Sequence, residues 1–326
     1  MSISGILIYQ IAVIFIIIII GVICYKTNLI DDATNSKLSN ILLTLVNPIV
    51  IFVSYQRDFS YDLLEGLLIS LLLSIITHIV GIIISYTLIR RKRRKIVTID
   101  GSTTKSYVEN ENVEVERLQS IYSNLGFMGI PLVNSIFGSE GVFYVTASIT
   151  IFNIFIWTHG VILMSGAENL KFKDIIEKLI SPTIFAIIIG LLFFIFQIRV
   201  PDVVYEALDY IADLNTPFAM LIAGVTIGKT NIIKLFTKNL RTYYIAFIRL
   251  IIIPFVLLLL YIWLPINEMV KIVAIIMASS PTAASGALFA IKFNKNSVYA
   301  AEIFTVSTLF CILTIPLIVK IAELLA

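Results

Sequence analysis

Cysteine and histidine, two of each, are scarce in this chain of 326 residues, and charge is low. Cys24 and Cys311 both fall in apolar stretches, so neither a disulfide framework nor a thiolate metal site can be drawn from them. The two histidines, His78 and His159, stand on separate apolar segments, which removes a metal-spaced cluster. No Gly-x4-Gly-Lys-Ser/Thr loop is present, and an ATP-driven pump goes with it. Paired aspartates and a serine beside a base are missing too, which leaves an intramembrane enzyme without its chemistry. No metal and no cofactor is expected. Only 14% of the residues are charged, against 59% hydrophobic, and the mean hydropathy is +0.99. A soluble domain of that composition would expose far more apolar surface than water tolerates. The expected class is an all-α polytopic membrane protein.

The first apolar run, 2–24, is too long and uninterrupted for a cleaved leader and lacks a small-residue cleavage site, so it is expected to span. Hydropathy places roughly ten spans at 5–25, 37–56, 62–89, 117–137, 140–164, 180–198, 203–228, 242–264, 268–291 and 297–322, each near the ~20 residues that hydrocarbon requires. Of the 24 Lys and Arg residues, 19 fall in or beside the connections that follow the odd-numbered spans. Arg57, Arg199, Lys271 and Lys320 lie on the other side and Arg249 lies inside a span. The positive-inside rule then puts the odd connections in the cytoplasm and both termini outside the cell membrane. The densest cluster, residues 90–95, opens a 90–116 loop expected to be cytoplasmic, polar and mobile over 96–116. Beside a span, such a cluster signals topology or contacts anionic lipid rather than nucleic acid. A shorter basic connection is expected at 165–179.

Two spans are interrupted where they would reach the bilayer middle. In the fourth, Asn124-Leu125-Gly126-Phe127-Met128-Gly129-Ile130-Pro131-Leu132 places two glycines and a proline; in the ninth, Ala278-Ser279-Ser280-Pro281-Thr282-Ala283-Ala284-Ser285-Gly286 does the equivalent. A proline kink would account for either one alone. Paired interruptions in two halves instead point to a transporter's binding site. The expectation is a helix that stops near Gly129 and restarts at Pro131, with a second restart at Pro281. Asn47-Pro48 in span 2 is echoed by Asn215-Thr216-Pro217 in span 7. The chain thus divides into a first five-helix repeat, 1–164, and a second, 180–326, inverted because five is odd.

Half-helices starting at the midplane present unpaired N–H groups and about half a positive charge each, an anion site that needs no lysine. Asn124, Ser279, Ser280, Thr282 and Ser285 are the polar groups around it. Arg249 and Glu302 fall at similar depth, which suggests either a structural ion pair or proton or cation exchange at Glu302. His78 and Asp213 are weaker ion-coupling candidates.

Asn124-x3-Met128-Gly129-x-Pro131-Leu132 with Phe137-Gly138 resembles the auxin efflux carrier family. So do Asn47-Pro48, Ser280-Pro281-Thr282-Ala283, and Ser307-Thr308 with Thr314-x-Pro316. The resemblance covers the whole chain and is closest to the compact prokaryotic branch. It implies ten helices as two inverted five-helix repeats, with helices 4 and 9 broken and crossing at the midplane. That fold is shared with bile acid/sodium symporters and sodium/proton antiporters. It further implies a scaffold of spans 1, 2, 6 and 7, usually a homodimer contact, and a moving transport domain of spans 3–5 and 8–10. The implied activity is carriage of a small organic anion, a monocarboxylate or dicarboxylate. Its site residues would be Asn124, Gly129, Pro131, Ser279, Ser280, Pro281 and Thr282, with Asn47 and Ile51 from span 2. Coupling to H+ or Na+ within the same fold is the alternative.

Overall fold

The computed structural model describes residues 3–99, 102–166, 181–229 and 240–325. Among these, helices dominate. Helix α1 (Ile3–Lys26) is followed by α2 (Asp32–Ile41), which runs through a π turn, Leu42–Val46, into α3 (Asn47–Ser54). Then come α4 (Tyr61–Leu88), strands β1 (Lys92–Ile99) and β2 (Ser102–Glu109), and α5 (Val113–Ile121). A π turn, Leu125–Gly129, opens α6 (Ile130–Phe155), and a further one, Ile156–Gly160, leads to α7 (Val161–Ser165). Helices α8 (Pro182–Ile195), α9 (Asp202–Ala212), α10 (Asn215–Lys229) and α11 (Leu240–Phe247) follow. A last π turn, Ile248–Ile252, precedes α12 (Ile253–Tyr261), α13 (Glu268–Ser279), α14 (Ser285–Lys292) and α15 (Ser297–Leu325).

Hydrocarbon offers backbone groups no partner, so the apolar runs satisfy themselves as helices. Their starts are set by polar caps: Asp31 accepts from Thr34 N at 2.7 Å before α2, and Ser60 accepts from Leu63 N at 3.1 Å before α4. Among the described residues, seven helical stretches are long and apolar enough to cross a membrane. One of them, Leu125–Ser165, is not a single rod. Gly138 takes φ +60°, a region that glycine enters without strain. A side chain at Gly141 would strike Val133 and Phe137; a straight helix would carry Val133 ~12 Å away along its axis. The chain therefore doubles back at Gly138, the boundary expected between the fourth and fifth spans.

Helix α1 crosses α10 at a glycine pair. A Cβ on Gly224 would lie 2.1 Å from Ile18 O, and one on Gly21 would lie 2.4 Å from Leu221 O. Such backbone approach is how membrane helices gain packing without a hydrophobic drive between them. Helix α3 packs on α8, α4 on α6, and α11 on α15. Helices α5 and α13 are enclosed nearly all round, polar residues included.

Three expectations are corrected. The helix does not restart at Pro131. The non-helical stretch is Tyr122-Ser123-Asn124, and the π turn carries the chain past the proline without a stop. The same device precedes Pro48 and Pro254. In all three, the residue before the proline donates to the carbonyl five back: Asn47 to Leu42, Ile130 to Leu125, Ile253 to Ile248. One extra residue in the turn moves aside the carbonyl that the ring would hit. Second, α14 starts at Ser285, four residues beyond Pro281, because the chain leaves α13 extended at Ser280 and takes helical angles again at Ala284. Third, the 90–116 loop is structured. β1 pairs antiparallel with β2, from Lys92 opposite Glu109 to Ile99 opposite Ser102, in a stretch rich in β-branched residues. Residues 113–116 already belong to α5. The basic connection at 165–179 lies outside the described residues beyond Gly166.

Candidate functional site at the paired helix breaks

The two breaks lie directly against each other. Ser123 and Thr282 form an isolated antiparallel bridge. Asn124 N donates to Pro281 O at 2.8 Å, and Ala283 N donates to Tyr122 O at 2.9 Å. Each break thereby supplies the backbone partners that the other lost on leaving the helix, which is the condition for non-helical chain at membrane depth.

Arg249, on the π turn Ile248–Ile252 and fully buried, spends every N–H on these breaks. Nε donates to Ser280 O at 3.0 Å, Nη1 to Ser120 O at 3.5 Å and Ile121 O at 3.1 Å, and Nη2 to Ala278 O at 2.6 Å and the Ser123 hydroxyl. No carboxylate is among its partners, so the expected pair with Glu302 does not form. Glu302 lines a separate cavity instead, and the carbonyls that end α5 and α13 meet the guanidinium with the partial negative charge of helix C-termini.

Asn124 sits at the start of the π turn. Its Oδ1 accepts from Phe127 N at 3.4 Å, and its Nδ2 has no partner although the residue is only 3% exposed. Gly129 donates to Asn124 O at 3.0 Å. A Cβ on Gly129 would touch Met277 Sδ at 3.0 Å, so the residue keeps α13 close. Ser279 and Ser280 are buried there, but their hydroxyls donate to Ile275 O and Ile276 O on their own helix at 2.7 and 3.0 Å. Their protons are not on offer to an anion. Thr282 holds Ser307 through both N and Oγ1, each at 3.1 Å.

From the other side comes Asn47, whose Oδ1 accepts from Asn215 Nδ2 at 2.7 Å; its own Nδ2 lies 3.3 Å from where a Cβ on Gly126 would be. Ile51 is buried one turn further along α3. Asn215, which the sequence had offered only as an echo of Asn47, thus joins the cluster, and its Oδ1 is buried without a partner.

His78 reaches the crossing as well. Its Nδ1 donates to Ser74 O at 2.8 Å, and its ring lies 5.9 Å from that of Tyr122. With Ser74, Thr77, Ser123 and Ser148 it lines a cavity of about 10 Å³, room for about one water. Asp213 stays away from the crossing: it is exposed at the end of α9. Glu302 lines a separate cavity of about 280 Å³ with Glu116, Arg241 and Tyr299. There Glu116, 1% exposed, accepts two bonds from Arg241 at 2.9 and 2.8 Å, one from Asn110 at 2.8 Å and one from Tyr299 at 3.0 Å. Sequence reasoning had left Glu116 in the loop and Arg241 in a basic connection. A charged residue at a span's end carries no mark of burial until its partners are known.

Enclosed apolar helices around a paired break define a polytopic membrane transporter. The chain belongs to the membrane transport protein family, whose model matches residues 6–319; this is the auxin efflux carrier family that the motifs resemble. It is 23% identical to the uncharacterized transporter YfdV of Escherichia coli K12 over 211 residues, covering 62% of this chain and 66% of that one, just under two thirds of YfdV's length. An uncharacterized transporter of Methanothermobacter thermautotrophicus is 23% identical over 314 residues, covering 93% of this chain and 94% of its own length.

Proposed function

We propose that the protein is a secondary transporter that moves a small organic anion, a mono- or dicarboxylate, across the cell membrane by elevator-like alternating access. One observation carries this reading: a buried amide donor, Asn124 Nδ2, stands without a partner at a helix start beside the paired breaks. An unsatisfied buried donor costs about 1–3 kcal/mol, and a carboxylate oxygen is the natural acceptor at the positive end of a helix. Gly129, Pro131, Pro281 and Thr282 shape the cradle, and Asn47 with Ile51 faces it from α3. Such a cradle holds an anion by dipoles rather than by a fixed contact charge, so the anion can still leave.

In this reading ten spans form two inverted five-helix repeats, 1–164 and 180–326, and the two broken spans cross. Packing supports the repeat. Span 1 (α1) lies on span 7 (α10) and span 2 (α3) on span 6 (α8), the two contacts that exchanging the halves would interchange. Spans 1, 2, 6 and 7 are the scaffold, through which a homodimer forms. Spans 3–5 and 8–10 are the moving domain. Both termini are extracellular, and Arg90, Arg91 and Lys92, all exposed, meet anionic lipid on the cytoplasmic side. In a variant lacking Cys24 and Cys311, an impermeant thiol reagent is expected to label a cysteine at residue 2 in intact cells and to spare one at residue 111; the opposite pattern reverses the topology.

The test of function is counterflow of labelled organic acids in proteoliposomes. Saturable exchange that fails in Asn124→Ala supports the carrier; unsaturable flux indicates a channel. Glu302 lies on the larger cavity rather than at the crossing, so Glu302→Gln is expected to retain both exchange and gradient-driven uptake. Loss of accumulation with exchange intact would instead assign coupling to Glu302.

A further inference from the structure

Arg249 is a positive charge enclosed within the protein with no carboxylate against it, and its five N–H groups meet five oxygens. Four of these are main-chain carbonyls at or next to the ends of two helices: Ser120 and Ile121 of α5, and Ala278 and Ser280 beside the end of α13. A helix C-terminus carries about half a negative charge, so the two ends together match one guanidinium. The carbonyl ring is thus of a kind that could cage a monovalent cation, and a side chain already fills it.

We propose that Arg249 is a built-in cation of the crossing, a positioning residue that locks the two breaks together and leaves their positive helix starts free for the anion without touching it. The second half of that statement rests on the anion reading above; the first does not. With the negative ends neutralised from within, the starts at Leu125 and Ser285 keep their positive character. The crossing then needs no Na+ or K+ from solution to hold its shape. Removing the side chain leaves a cation-sized gap lined by carbonyl oxygens.

The decisive experiment uses the purified full chain in nanodiscs. Arg249→Ala is expected to melt several degrees below wild type and to recover on millimolar guanidinium, saturably, while urea of the same shape and no charge gives no recovery. Wild type should respond to neither, and its melting temperature should be unchanged when choline replaces Na+ and K+ at constant ionic strength. Equal effects of urea and guanidinium, no recovery by either, or a wild-type requirement for Na+ or K+ would overturn the proposal. Should Arg249→Ala yield no folded protein, Arg249→Lys and Arg249→Gln decide. Lysine keeps the charge and is expected to hold organic-acid affinity within about tenfold, whereas neutral glutamine loses about a hundredfold or more. Indistinguishable Lys and Gln variants would sink the idea. If wild type binds no organic acid at all, the anion reading fails, and the guanidinium arm still reports on the cation.

Discussion

The two breaks are built from different residues and leave different residues satisfied. At the second, every backbone N–H of residues 280–283 has a partner. Ser280 N donates to Met277 O, Thr282 N to the Ser307 hydroxyl, Ala283 N to Tyr122 O, and the Ser280 and Pro281 carbonyls accept from Arg249 and Asn124 N. Its serine hydroxyls fold back on their own helix. At the first, the backbone is equally well paired, yet the Asn124 amide is left over. A closed break is a structural joint; an open one at a helix start is where ligand chemistry has room to act. The two breaks therefore differ in what they leave unsatisfied, which tempers the idea of a symmetric anion cradle.

Experiments can break or sharpen this contrast, and they rank by the size of the effect expected. Arg249→Met removes the lock common to both breaks. Five buried oxygens lose a donor, so the variant is expected to lose at least ~3–5 kcal/mol of stability, seen as failure to accumulate in the membrane or a collapse of the melting temperature. Accumulation at the wild-type level with the wild-type melting temperature would show that the breaks hold without it.

Asn124→Ala should act on affinity rather than folding. Removing one donor from a desolvated anion costs about 1.5–3 kcal/mol, or on the order of tenfold to a hundredfold in Kd. Binding of labelled organic acid to monodisperse protein measures this, and an unchanged Kd would make the first break as closed as the second. Thr282→Val tests the opposite half. It removes one hydroxyl contact to Ser307 and spares the backbone bond, so about 1 kcal/mol of stability should go with affinity within about twofold of wild type; a larger affinity change would move the ligand toward the second break. Smallest of all, the double change Ser279→Ala with Ser280→Ala removes hydroxyls that only bond their own helix. Transport in counterflow should stay within about twofold, since such back-bonds contribute little to a helix. A loss approaching that of Asn124→Ala would return both serines to the binding site.

The places where sequence reasoning failed share a cause. Pro131 carries the usual signal for a helix start, yet it is passed by a π turn, as are Pro48 and Pro254. Whether a turn can widen depends on what packs beside it, which no local pattern records. Residues 96–116 were expected to be a mobile loop because they are polar and mixed in charge, yet strands run over 92–99 and 102–109. Their β-branched content was a signal for strands that the charge obscured. Counting residues set Arg249 and Glu302 at similar depth, but direction around the helix was not legible, and it sends one to the crossing and the other to the cavity with Glu116.

What the sequence determined by itself is what depends on composition and period. The apolar runs can be satisfied only as helices in hydrocarbon, and the interruptions at 124–131 and 278–286 must be sheltered because a bare break at that depth is too costly. The glycines that let α1 and α10 touch are likewise written in the chain, although which backbone they admit is not. What the tertiary structure alone decided is who shelters whom. Ser123 meets Thr282, Asn124 meets Pro281, and one arginine from a third helix gathers the carbonyls of both breaks. Those partners lie from about thirty to about 160 residues apart in the chain, and hydrogen bonds across such gaps are selected by packing geometry, which local sequence does not encode.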